Sequence, residues 1–115
     1  MRVKRSFTFE AAHKLPHHPG KCRELHGHSY RLVVTVDRPV DPVSGLAIDF
    51  SDLKEVVKRE VVARLDHRYV NDLIENPTAE VMAVWIWRRL VEPLAGLCEV
   101  ELCETAQCAV VYRGE

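Results

Sequence analysis

Two runs of alternation, residues 3–13 and 26–37, each carry histidine on the apolar parity at one end. No other feature constrains the fold of this chain as much. In the first run Val3, Phe7, Phe9 and Ala11 share a parity with His13, while Lys4, Ser6, Thr8 and Glu10 take the other. In the second, His26, His28, Tyr30, Leu32, Val34 and Val36 fall together, opposite Ser29, Arg31, Thr35 and Asp37. A period of two is the mark of a half-buried strand. Residues two apart on a strand point to one face, so His26 and His28 stand side by side, about 7 Å apart at Cα from a rise of ~3.3 Å per residue. Gly27 between them leaves the opposite face bare.

Two imidazoles at that separation can converge on one ion, and His13, at the end of the neighbouring strand, makes a third. Three nitrogen ligands leave the fourth position of a tetrahedral zinc open, which is the catalytic pattern. Zinc is favoured over iron, because no carboxylate in the sequence suggests a facial triad. His17 and His18, in the loop that holds Pro16, Pro19 and Gly20, are expected to be exposed. Cys22 lies between Lys21 and Arg23, and cationic neighbours and a metal favour the reactive thiolate. An idle exposed thiol is the alternative.

A loop at 38–46 follows. Leu53, Val56, Val57, Val61 and Leu65 then recur at helical spacing, with Asp49 and Asp52 at the expected N-terminus. Residues 66–76 read as a polar connector. Asn76 as cap and Pro77 as first helical residue open a second helix, whose buried stripe is Met82, Trp85, Ile86, Leu90 and Val91, ended by Pro93 and Gly96. Residues 97–104 and 107–113 read as two last strands. Cys98, Cys103 and Cys108 are expected as small core-like residues on them. The order β-β-α-α-β-β predicts one α+β domain over 1–115, an antiparallel four-stranded sheet with both helices on one face. Sheet edges left open in a chain this short call for cover or for pairing with another copy.

Lys and Arg number 16 against 17 Asp and Glu, a net charge of −1, which speaks against a general nucleic-acid binder. No run reaches the ~20 apolar residues of a membrane span, and Met1-Arg2-Val3-Lys4-Arg5-Ser6 has no apolar signal core behind it. The expected location is cytoplasmic, where four cysteines without a Cys-x-x-Cys pair stay free. Asp66-His67 follows the first helix. A carboxylate can orient an imidazole, although the dipeptide alone reads as a surface pair. Glu104 prolongs the apolar parity of Val100 and Leu102. It is either a strand-end residue in water or a bidentate acceptor for a ligand rich in N–H groups.

Together these segments resemble the 6-pyruvoyl-tetrahydropterin synthase superfamily, and within it the bacterial 6-carboxy-5,6,7,8-tetrahydropterin synthases of queuosine biosynthesis. The likeness covers nearly the whole chain. It is carried by Phe7-Thr8-Phe9-Glu10-Ala11-Ala12-His13, Cys22-Arg23-Glu24-Leu25-His26-Gly27-His28, Ile48-Asp49-Phe50, Leu65-Asp66-His67, Asn76-Pro77-Thr78-Ala79-Glu80 with Trp85-Ile86-Trp87, and Glu104-Thr105 with Tyr112-Arg113-Gly114-Glu115. It implies the tunnelling fold, assembled as a hexamer of two trimers with sites between subunits. It implies zinc on His13, His26 and His28, and Cys22 as proton acceptor. Asp66 and His67 become a second acid-base group from a neighbouring subunit, and Glu104, with Thr105, holds the pterin and relays protons. The implied substrate is 7,8-dihydroneopterin triphosphate, cleaved to 6-carboxy-5,6,7,8-tetrahydropterin, acetaldehyde and triphosphate. Lys14, Lys21, Arg23 and Arg113 are candidates for the triphosphate. Pyruvoyl synthase activity on the same substrate is the alternative, followed by a non-catalytic zinc- or pterin-binding module. In a folate-pathway branch Glu stands at the cysteine position. Here Glu24 is two residues away.

Overall fold

A computed structural model of the protein describes residues 1–115. The two alternating runs form long strands, β1 (Arg2–His13) and β2 (His26–Asp37), paired antiparallel from Arg2 opposite Asp37 to His13 opposite His26. A two-residue strand, β3 (Arg68–Tyr69), lies parallel to β1 beside Ala11 and Ala12. β4 (Leu97–Cys103) and β5 (Ala109–Tyr112) complete a sheet of order β3-β1-β2-β4-β5. The sheet is therefore five-stranded and mixed rather than four-stranded and antiparallel. The segment expected as a polar connector holds β3, which at two residues is too short to show alternation.

The first helix, α1, runs Phe50–Val57, continues as a π-helical stretch Lys58–Val62, and closes with the α turn Ala63–Leu65. Its buried residues Leu53, Val57, Val61 and Leu65 are spaced by four. On an α-helix of 3.6 residues per turn such a stripe drifts about 40° per step; the wider π turn absorbs part of that drift and keeps it facing the sheet. Asp49 caps the helix, its carboxylate accepting from Ser51 N–H at 2.7 Å.

The second helix, α2, is Ala79–Leu90, and its cap is Thr78, not Asn76. The Thr78 hydroxyl accepts from Val81 N–H at 3.1 Å, whereas Asn76 Oδ1 is buried without a partner. Pro77 therefore lies one residue before the cap, outside the helix, with its carbonyl toward His13. Val91, expected in the buried stripe, is exposed, since α2 has already ended at Leu90. Cys108 is also exposed, in the turn ahead of β5, while Cys98 and Cys103 are half-buried on β4.

Both helices cover one face of the sheet. Phe7, Phe9, Tyr30, Leu32, Val34, Val36, Val100 and Leu102 meet the helical stripes in one core. The rings of Phe9 and Tyr30 stack at 5.0 Å. This core runs up to the histidines, so their floor is packed protein. No helix is long and apolar enough to cross a membrane.

Candidate active site

His13 and His26 face each other as the last cross-strand pair of β1 and β2, with His28 one step along the same face. One nitrogen from each of the three lies within 4.8 Å of the others. Hydrogen bonding fixes which nitrogens these are. His13 Nδ1 is 2.8 Å from the Pro77 carbonyl, and His26 Nδ1 is 2.7 Å from the Glu24 carbonyl. A carbonyl only accepts, so each Nδ1 must donate. In neutral rings both Nε2 atoms then carry bare lone pairs, yet they sit 2.9 Å apart. Two lone pairs at that distance repel unless a proton or a cation lies between them.

His28 Nε2 is buried and has no hydrogen-bond partner; Glu104 Oε1 is 3.3 Å away without hydrogen-bond alignment. His13 is fully buried, and its burial holds the imidazole below the ordinary pKa of 6.5; desolvation does the same to His28, against the pull of the Glu104 carboxylate. Three imidazoles with one nitrogen each within 4.8 Å of the others, two of them oriented by backbone carbonyls, fit a tetrahedral cation such as zinc.

Glu104 follows β4 directly, and its backbone N–H bonds the Cys108 carbonyl at 3.1 Å across the β4–β5 turn. Thr105 closes that turn, its hydroxyl oxygen accepting from Gln107 N–H (3.3 Å) and Cys108 N–H (3.1 Å). Cys22 is half-buried in a single 3₁₀ turn, Lys21–Arg23, and its carbonyl accepts from Leu15 N–H at 2.7 Å, which ties the loop to the end of β1. His17 and His18 are exposed, as expected.

Asp66 and His67 lie elsewhere, at the β3 edge. Asp66 Oδ1 accepts the Glu10 backbone N–H at 3.0 Å and stands 3.0 Å from His67 Nδ1. The Glu10 N–H, with the His67 imidazole beside it, holds the Asp66 carboxyl below the usual carboxylate range. His67 has a left-handed backbone, φ 59°, and its side chain is 79% exposed. His67 borders an open groove of about 510 Å³ lined also by Ala12, Gly27, His28, Ser29 and Tyr69. Gly27 and Ala12 leave this face bare. The structure thus brings the histidines and Glu104 together, and Asp66 with His67, but puts no hydrogen bond between the two groups within one chain.

Two supporting groups carried no sequence signal: the Pro77 carbonyl, 64 residues from His13, and the Glu10 backbone beneath Asp66; Tyr30, its hydroxyl 3.3 Å from His13 Nδ1, is marked only by sharing the parity of His26 and His28.

The family model of 6-pyruvoyl tetrahydropterin synthase matches residues 2–115. A 6-carboxy-5,6,7,8-tetrahydropterin synthase of Synechocystis sp. is 45% identical over 117 residues, covering 96% of this chain and 91% of that protein. The human 6-pyruvoyl tetrahydrobiopterin synthase is 34% identical over 135 residues, covering 99% and 92%. The structure of the Caenorhabditis elegans 6-pyruvoyl tetrahydropterin synthase superposes with a TM-score of 0.91 at 27% identity, over 100% of this chain and 96% of that one.

Proposed function

The chain belongs to the 6-pyruvoyl tetrahydropterin synthase family, and from that premise we propose that it is a zinc-dependent lyase that converts 7,8-dihydroneopterin triphosphate and one water to 6-carboxy-5,6,7,8-tetrahydropterin, acetaldehyde and triphosphate. The observation that carries the reading is the set of three imidazoles whose ligand nitrogens lie within 4.8 Å of one another, one of them 3.3 Å from a carboxylate. His13, His26 and His28 would hold the zinc. Bound there, the metal supplies Lewis acidity to the hydroxyls of the substrate side chain.

This chain's own groups do the rest. Glu104 accepts paired N–H donors from the pterin ring, and Thr105 shapes the turn that presents it. The Cys22 thiolate takes a proton from the side chain on one face. His67, held by Asp66, moves protons on the other. His67 is exposed at a sheet edge, so this reading takes it from a neighbouring subunit, in a hexamer built by edge pairing. The resemblance favours a cytoplasmic role in queuosine synthesis.

Anaerobic incubation of zinc-loaded protein with 7,8-dihydroneopterin triphosphate, with products identified by mass spectrometry, tests the reading. The carboxy product and acetaldehyde are expected. A pyruvoyl product would shift the assignment to the activity named for the human relative. Pterin binding without turnover would leave a binding module.

A further inference from the structure

Far from the histidines, the face of the sheet without helices carries a second pocket. Lys4, Thr35 and Glu99 are direct cross-strand partners on β1, β2 and β4. Arg113, just past β5, reaches Glu99 at 2.9 Å. Arg2 lies at the end of the row. With Cys98 these residues line a pocket of about 350 Å³. Lys4 and Thr35 pair nine residues before His13 meets His26, which places the pocket roughly 30 Å away along the strands.

Three observations set the pocket apart from an ordinary ladder of surface charges. First, the strand register shifts between Thr35 and Val36, leaving Cys98 as the extra residue on β4. A bulge of this kind re-aims a side chain, and Cys98 turns into the pocket while its thiol donates to the Thr35 carbonyl at 3.4 Å. Second, Thr35 is 4% exposed, and its hydroxyl has no hydrogen-bond partner. A buried hydroxyl left unpaired is costly, and Thr35 lines the pocket. Third, the charge is unbalanced. Glu99, the one carboxylate lining the pocket, is taken by Arg113. Arg2 reaches Asp37 at a loose 3.6 Å, and Lys4 has no carboxylate at the pocket left to pair with.

We propose that this pocket is an oxyanion site, binding a phosphate-class anion through Lys4, Arg2 and Arg113 with the Thr35 hydroxyl at its floor. Arg2, Lys4 and Arg113 face two carboxylates, Asp37 and Glu99, which leaves Lys4 as the unpaired positive charge, and the Thr35 hydroxyl supplies a further donor. Two sources share this chemistry, free inorganic phosphate and the inorganic triphosphate that a pterin triphosphate lyase would release. The site itself does not depend on that activity.

Zinc-loaded protein titrated at low salt with inorganic phosphate, and separately with inorganic triphosphate, by calorimetry and ³¹P resonance, tests it. One saturable site per chain is expected. Lys4→Gln and Arg113→Gln should each weaken binding about tenfold, the scale of one charge-assisted hydrogen bond. Thr35→Val should weaken it as well while raising Tm, because the unpaired hydroxyl is gone. His26→Ala should leave it intact, which separates the pocket from anions on the metal. Preference for triphosphate by tenfold or more identifies the product as ligand; equal affinity identifies free phosphate. No saturable binding of either anion at 10 mM overturns the proposal, as does binding that ignores all three pocket variants or vanishes in His26→Ala.

Discussion

The two ends of the proposed catalytic machinery are built in opposite ways. The histidine end is finished within one chain: His13 is buried, backbone carbonyls orient His13 and His26, and the core packs beneath them. The Asp66–His67 end is fixed at its root by the Glu10 backbone, but its imidazole stands in the open at a sheet edge. A metal site needs its ligands held before the metal arrives, because reorienting buried rings opposes binding. An acid-base group needs only the right position once substrate is present, and a second subunit can supply it. The difference teaches that the fold preorganises the histidines inside the protomer, and on the proposed function a neighbouring subunit would receive the exposed His67.

The sharpest way to break the contrast is at the metal. His26→Ala should lose nearly all zinc and with it all measurable turnover, because two lone pairs cannot do the work of three. Metal analysis and activity assay check this, and full zinc retention would undo the ligand assignment. Next in size is Cys22→Ala. Its zinc content should stay at the wild-type level while turnover falls roughly 10²-fold or more, the scale of a lost positioned proton acceptor. Wild-type turnover in that variant would turn attention to Glu24.

The contrast also has a pH signature. Burial holds His13 and His28 below the ordinary histidine pKa of 6.5. Between that lowered value and 6.5 the unfolded chain binds more protons than the folded one, so stability rises with pH there. The zinc-free protein should be fully stable above pH 6.5 and lose Tm as pH falls through and below it. Thermal melts of wild type and a His28→Asn variant from pH 5 to 8 check it: the slope should flatten in the variant.

The smallest effect expected comes from the cap that sets the Pro77 carbonyl. Thr78→Ala removes the hydroxyl that accepts from Val81 N–H and should cost about 1 kcal/mol of stability, read from denaturant unfolding, with a modest loss of zinc affinity because Pro77 is next to it.

What could be read from the residues follows from how local each signal is. Alternation over twelve residues identifies β1 and β2, and through them the parity that collects His13, His26 and His28. Spacing by four marks α1 but hides its π turn, since helical periodicity tolerates both. Strand β3 is two residues long and exists only because Ala11 and Ala12 offer it an edge. Pro77 reads as a helix start because its neighbours suit one. Its partner lies 64 residues away, and no local pattern records that contact. The oxyanion pocket is hidden for the same reason: Lys4, Thr35, Glu99 and Arg113 meet only when four strands are in register.

On the proposed function, one working site joins the histidine end of one protomer to the Asp66–His67 end of another. Mixing two inactive variants tests it most directly. Cys22→Ala and His67→Ala protein, each zinc-loaded, should show little activity alone. After subunit exchange at equal amounts, about a quarter of the sites should pair an intact Cys22 with an intact His67 from a different chain, and turnover should recover to about that fraction of wild type. If exchange is demonstrated, for example by mass spectrometry of the mixed oligomers, and activity stays at the level of the separate variants, the two ends do not meet across subunits and the account is wrong.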